Sequence, residues 1–143
     1  ILFQFWKVTQ NPQPVVAVSG GADSMALVIL LNEYAKKLNG NVTALTVDHG
    51  IRPESKYEAL KVAQWMKDLN IAHEILVVEE KNIPKSNIMA KARDERYKLL
   101  INWCKKNSIN CLFVAHHLED NVENFLIRLE RGSGVKGLSA MSR

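Results

Sequence analysis

Cysteine is scarce in this chain, with only Cys104 and Cys111 among 143 residues. Their spacing fits neither a zinc site nor a CxxC redox pair. Both lie in apolar surroundings, Trp103-Cys104 and Cys111-Leu112-Phe113. They read as buried thiols of a protein kept in a reducing cytoplasm. Long hydrophobic runs are missing too: the longest, Met25 to Leu31, falls far short of the ~20 residues of a membrane span. No membrane partner is expected. No secretory signal, internal repeat or low-complexity segment is visible, and the chain lacks an initiator Met. A Gly-rich stretch, Gly132-Ser133-Gly134-Val135-Lys136-Gly137, comes shortly before the last residue. A terminus there reads as the edge of a larger protein, with residues 1–143 forming one domain.

What is present is an ordinary globular composition, 47% hydrophobic and 24% charged, long enough to bury a core. The formal charge of +4 points mildly to a polyanionic partner. Apolar runs at Val15–Val18, Val42–Val47, Glu74–Val78 and Cys111–Ala115 predict strands, continuous enough to be buried on both faces. Helical periods separate them. Ala22 to Leu38 is apolar nearly all round at its start. Glu54 to Asn70, entered through Pro53, carries Ala59, Ala63, Met66 and Leu69. Asn87 to Asn107 carries Ala92, Leu99, Leu100 and Trp103, and Glu119 to Arg131 carries Val122, Leu126 and Leu129. Residues Ile1 to Gln13, with Phe3, Phe5 and Trp6, predict a lead-in helix. Alternating strands and helices imply an α/β fold with a parallel sheet and helices on both faces.

The first strand runs into Ser19-Gly20-Gly21-Ala22-Asp23-Ser24. Two adjacent glycines let backbone approach an anion and adopt positive φ where needed. The N–H groups opening the next helix then point at the ligand, and the helix dipole favours negative charge there. The lysine of the GxxxxGK[ST] loop is absent. The loop therefore suits a pyrophosphate, with Asp23 placed to hold Mg²⁺. Ligands of open parallel sheets bind beyond the strands' carboxyl ends, where three further polar clusters are expected. These are Asp48-His49-Gly50-Ile51-Arg52; His116-His117 leading to Glu119, Asp120 and Glu123; and Arg93 with Arg96 on one helical face. Each alone could be a cap or a solvated surface; together at one sheet edge they favour a shared site. Asp120 and Glu123, at i, i+3, repel unless a cation, Mg²⁺ or an amino group, sits between them. Between Lys81 and Lys106 eight Lys/Arg face two acids, a concentration suited to phosphates or equally to a solvated helix face.

These motifs carry a family resemblance. SGGADS resembles the loop of the N-type ATP pyrophosphatases, the PP-loop superfamily. Within it, VDHGIR (Val47–Arg52), Ala92-Arg93-x-x-Arg96-Tyr97 and the long stretch His116–Met141 resemble the tRNA(Ile)-lysidine synthetases. Where that family usually reads His-x-x-Asp-Gln-x-Glu-Thr, this chain has His117-Leu118-Glu119-Asp120-Asn121-Val122-Glu123-Asn124. Glu119, Asn121 and Asn124 are the departures, and loss of the Thr hydroxyl puts that contact in doubt.

The resemblance implies a HUP-like, adenine nucleotide alpha hydrolase-like Rossmann-type fold, and the N-terminal catalytic domain of a longer cytoplasmic ligase. It implies ATP and Mg²⁺ as cofactors and L-lysine and an isoleucine tRNA as substrates, giving lysidine, AMP and pyrophosphate. Ser19, Gly20, Gly21, Ala22, Asp23, Ser24, Asp48 and His49 would bind the nucleotide, with Asp23 on the metal. Arg93 or Arg96 would meet phosphate charge, Asp120 and Glu123 the lysine ammonium groups, and His117 would stand near the reacting centre. Two rivals remain. A PP-loop tRNA thiolase of the 2-thiocytidine type would want a cysteine at the ligand edge. A non-catalytic ATP-binding module would not need the carboxylates. The oligomeric state is left open, a homodimer among the alternatives.

Overall fold

In the computed structural model the described residues are 12–109, 111–115 and 124–128, the last as a backbone path. The expected lead-in helix lies almost wholly outside them. Strands β1 (Val15–Ala17), β2 (Thr43–Asp48), β3 (Ala72–Val77), β4 (Cys111–Ala115) and β5 (Asn124–Arg128) form one sheet in the order β3-β2-β1-β4-β5. The first four are parallel, and β5 is antiparallel to β4. Helices α1 (Ala22–Lys37), α2 (Ser55–Asp68) and α3 (Ile88–Lys106) provide the crossovers, with a single 3₁₀ turn at Glu80–Asn82 ahead of α3. The α/β architecture expected from the alternation of elements is the one found.

Both faces of the sheet are covered. Val16, Val18, Ala44 and Phe113 pack against Leu27, Val28 and Leu31 of α1 and Val62 and Met66 of α2. Their strand neighbours Val15, Leu45, Leu112 and Val114 point the other way, onto Tyr97, Leu100, Ile101 and Cys104 of α3. The alternation follows from the period of two along a strand. Each fully buried Leu, Met or Phe contributes roughly 1.5–3 kcal/mol relative to exposure. The central strands therefore carry most of the packing.

Each helix closes with the same backbone device. Asn39, Asn70 and Ser108 take positive φ of 59°, 56° and 57°. The residue after each donates its N–H to the carbonyl five residues back: Gly40 to Ala35, Ile71 to Met66 and Ile109 to Cys104. This Schellman closure satisfies the last carbonyls and turns the chain directly into the next strand. Asn tolerates the left-handed conformation better than most residues, and the predicted helix ends at Leu38, Asn70 and Asn107 fall within a residue or two.

Four details differ from the sequence pattern. β3 is an edge strand with Ala72, Glu74 and Val77 exposed, because no strand among the described residues pairs beyond it; it is not buried on both faces. On α2 the core stripe is Ser55, Ala59, Val62 and Met66, whereas Leu69 stays 36% exposed. On α3 it is Tyr97, Leu100, Ile101 and Cys104, a stripe rotated from the expected one. Asn124–Arg128, expected inside a helix from Glu119 to Arg131, is β5. The run Asn-Phe-Leu-Ile-Arg is short and apolar, a pattern that periodicity cannot assign, and the open side of β4 supplies backbone partners for it.

Gly40 lies so close to Pro12 that a Cβ there would overlap the Pro12 backbone. Gly40→Ala is therefore expected to lower unfolding free energy by about 1–3 kcal/mol, the usual range for overpacking. Denaturant titration of the variant checks this, and an unchanged midpoint would contradict the close approach.

Candidate phosphate and nucleotide site

Strand order reverses between β1 and β4, so the chain leaves these neighbours in opposite directions. That switch point opens a crevice at the carboxyl edge of a parallel sheet. A cavity of about 320 Å³ lies there, lined by Ala17 of β1 with Val18 and Ser19 after it, Val114 and Ala115 of β4, and Arg96 and Tyr97 of α3. Its volume is at the lower end for small-molecule pockets.

The β1–α1 turn is short and internally bonded. Val18 N–H donates to Leu45 C=O at 2.8 Å, which extends the pairing one residue past β1. Ser24, 5% exposed, accepts from Ser19 N–H at 3.2 Å and donates to Gly21 C=O at 3.1 Å. The Ser19 and Ser24 hydroxyls are 3.2 Å apart. Part of their capacity thus shapes the loop itself. The loop's positive φ falls at Gly20, 94°, where a Cβ would also meet Val62 Cγ2 at 2.9 Å. Gly21 has extended backbone and no side-chain cap on α1. The first-turn N–H groups of Ala22, Asp23 and Ser24 are those an α-helix leaves without internal acceptors. An anion fits that end of the helix.

Asp23 is half-buried in the first turn of α1 and does not line the cavity. No group of three metal-ligating side chains occurs among the described residues. A divalent cation held through one carboxylate plus phosphate oxygens and water is the usual Mg²⁺ arrangement, and Asp23 fits that pattern.

After β2 the residues divide their duties. Asp48 is 9% exposed, and its Oδ1 accepts from Ser55 Oγ at 2.6 Å and Gly50 N–H at 3.1 Å. That carboxylate oxygen ties the β2–α2 turn to the start of α2. His49 lines the cavity; its Nδ1 accepts from Ile51 N–H at 3.1 Å, so the neutral ring carries its proton on Nε2. Arg52 reaches both oxygens of Glu58 at 3.2 Å, a solvent-exposed pair of small energetic weight.

On α3, Arg96 lies 5.1 Å and Arg93 5.7 Å from the centre of the Tyr97 ring. Neither forms an ion pair among the described residues. Arg96 and Tyr97 line the cavity, whereas Arg93 stands outside its lining. Cations held by an aromatic face and free of carboxylates remain available to phosphate oxygens.

His116, His117, Glu119, Asp120 and Glu123 lie outside the described residues. Of the residues on either side, Ala115 lines the cavity and is the register partner of Asn124. Of the helix expected from Glu119 to Arg131, the described residues Asn124–Arg128 form β5 instead.

Sequence reasoning missed Thr46 and His73. Thr46 Oγ1 donates to Val18 C=O at 2.8 Å and lies 2.7 Å from His73 Nε2. With the hydroxyl proton on Val18, His73 Nε2–H is the donor of the second bond. The pair braces the last residue before the Ser19-Gly20-Gly21 loop. No motif signals it, since the two residues are joined only by β2–β3 pairing.

Comparison with known proteins agrees with this geometry. The PP-loop domain family model matches residues 2–143. The chain is 51% identical over 132 residues to tRNA(Ile)-lysidine synthase of Wolbachia pipientis wMel, covering 92% of this chain and 31% of that protein. It is 43% identical over 136 residues to the enzyme of that name from Orientia tsutsugamushi strain Boryong, covering 95% and 31%. It thus spans about a third of these relatives' length. Among solved structures, the U34-tRNA thiolase NcsA from Methanococcus maripaludis, determined with its [4Fe-4S] cluster, matches with a TM-score of 0.67 and 24% identity. The match covers 78% of this chain and 41% of the thiolase. At that identity the likeness speaks to the fold alone.

Two expectations follow. Gly20→Ala should cost about 1–2 kcal/mol of stability for its positive φ, whereas Gly21→Ala, whose Cβ would find only Ser19 Oγ at 3.6 Å, should leave the midpoint unchanged and weaken pyrophosphate binding. Calorimetric titration with pyrophosphate separates these effects. Burial lowers the His73 pKa below 6.5, so the unfolded chain takes up that proton first as the solution is acidified. Stability from this residue is complete above pH 6.5 and declines as pH falls from there through the lowered value. His73→Gln should flatten that part of the stability–pH profile; an identical profile would remove His73 from it.

Proposed function

The chain belongs to the PP-loop ATP-binding domain family, and on that premise we propose that it is the catalytic domain of a tRNA(Ile)-lysidine synthase. The reaction joins L-lysine to C2 of the wobble cytidine of an isoleucine tRNA and converts ATP to AMP and pyrophosphate. The observation that carries the proposal is the switch-point cavity. Ser19 and Ser24 of the loop and first turn of α1 line it together with Arg96, which has no ion pair among the described residues, in a chain resembling enzymes of that name.

The cytidine 2-oxygen attacks the α-phosphate of ATP, and the bond to pyrophosphate breaks. Gly20, Gly21 and the first-turn N–H groups of α1 receive the departing pyrophosphate, since its charge grows as the bond breaks. Arg96, at the cavity wall, meets charge on the phosphates, with Arg93 behind it on the Tyr97 ring. Asp23 would hold Mg²⁺, which supplies charge neutralisation on the phosphate oxygens. The lysine ε-amine then attacks C2, and AMP leaves with the former 2-oxygen. An amine of unperturbed pKa about 10.4 must first lose a proton. Asp120 and Glu123 are assigned to the lysine ammonium groups and His117 to the reacting centre. In sequence they follow Ala115, which lines the cavity.

A thiolase reading wants a nucleophilic cysteine at this edge. Cys104 lies near the carboxyl end of α3, and burial pushes its thiol up to about 11, which keeps it protonated at neutral pH. Cys111 begins β4, so it sits at the opposite end of the strand whose Ala115 lines the cavity. Both positions favour the lysine reading. No helix among the described residues is long and apolar enough to cross a membrane.

Mass analysis of an isoleucine tRNA incubated with ATP, lysine and the full-length protein should show lysine added and AMP released in equal amounts. Asp23→Ala should slow AMP release by about tenfold or more, equivalent to ~1.4 kcal/mol of transition-state stabilisation. Asp120→Asn and Glu123→Gln should raise the lysine requirement and leave the Mg²⁺ response unchanged. The reverse pattern would move these acids to the metal.

A further inference from the structure

Helix α3 begins well outside the core. Its first fully buried side chain is Tyr97; ahead of it Ala92 and Glu95 are half-buried, and residues 88–91, 93, 94 and 96 are exposed. None of residues 88–96 belongs to either core cluster of the described residues. Met89 is 85% exposed and Ile88 41% exposed at its tip. Met89, Arg93 and Arg96, at i, i+4 and i+7, share one stripe of the helix. That stripe ends at the cavity, since Arg96 is part of its wall. Asp94 and Glu95 fall off the stripe by the same spacing, and Glu95 is occupied by Lys98 at 3.2 Å.

The charge is concentrated here as well. Residues 81–106 hold eight cations and two carboxylates, a surplus of six, while the whole chain has a surplus of only four. The rest of the protein is therefore net acidic by two. The positive field is a local property of α3 and its approach, not of the surface at large. A cationic stripe with one exposed thioether, leading into a cavity, matches a partner with phosphates along its length and a flat apolar ring to present. Single-stranded RNA has both features, and its loops expose unstacked bases.

We propose that the first turns of α3 are the docking surface for the unpaired loop of the RNA substrate. Arg93 contacts a backbone phosphate, and Met89 packs on an unstacked base beside the nucleotide that enters the cavity past Arg96. This rests on the reading of the chain as a tRNA-modifying enzyme. It adds the place where the RNA approaches and two residues, Met89 and Arg93, that guide it.

The test measures binding of an isoleucine tRNA transcript to the full-length protein across a range of salt, separately from turnover. Met89→Glu and Lys105→Ala change the charge equally, and Lys105 is exposed in the last turn of α3, away from the cavity. Met89→Glu should weaken RNA binding by roughly tenfold, and Lys105→Ala by much less. Arg93→Gln should lower the slope of log affinity against log salt by about 0.7, one single-strand phosphate contact. Met89→Ala should weaken binding with the slope unchanged. Thermal midpoints should stay at the wild-type value, since no substituted side chain is buried. Equal losses for Met89→Glu and Lys105→Ala, or normal binding by Met89→Glu, would overturn the proposal. So would a protein dimer that Met89→Glu dissociates while RNA binding is retained. Lysidine formation with normal RNA binding by Met89→Glu sinks only the docking surface. Stripe-dependent RNA binding without lysidine formation sinks only the assigned reaction.

Discussion

Parallel pairing of β1 with β2 on one side and β4 on the other is the constraint on which the site depends. Parallel strands leave the sheet at the same edge, so the segments following β1, β2 and β4 are brought together whatever their separation in sequence. Val18 reaches one residue beyond β1 to bond Leu45, and Thr46 bonds back to Val18. The phosphate loop therefore starts from a strand held on both flanks. Without that frame, Ser19-Gly20-Gly21 would be a flexible turn with no defined direction.

The two edges of the sheet are finished differently. At the amino edge each helix ends in a Schellman closure that satisfies its last carbonyls with backbone N–H groups. At the carboxyl edge α1 begins on Gly21 without a side-chain cap, and the arginines of α3 rest on Tyr97 with no carboxylate partner among the described residues. The first-turn N–H groups of α1 and these cations are the groups that an anion at that edge would meet. The buried hydroxyl of Ser24 and the carboxylate of Asp48 are turned instead to holding loop shape. Binding and positioning are thus shared among neighbours in the same turns.

Much of this was legible from residue order. The strand–helix alternation, the helix ends near Leu38, Asn70 and Asn107, and the Ser/Gly-rich loop after the first strand all rest on local chemistry, which a short window of sequence contains. The gathering of the loop, His49 and Arg96 at one edge followed from the parallel-sheet rule. The rotated core stripes of α2 and α3 did not, because both helices carry more apolar residues than the sheet can cover. Leu69 and Trp103 look as suited to the core as Val62 and Tyr97. Asn124–Arg128 was read as helix, since five apolar-centred residues suit either state until a strand edge is available beside them.

The sequence by itself determined the α/β class, the Ser/Gly-rich turn between the first strand and helix and the concentration of cations between Lys81 and Lys106. Each is set by residue type and short-range spacing. Only the tertiary structure decided that Gly20 rather than Gly21 takes the positive φ. It alone joined His73 through Thr46 to Val18, and brought Arg96 but not Arg93 into the cavity wall. Those outcomes depend on which strand lies beside which and how a helix lies against the sheet. Contacts between residues distant in the chain set both.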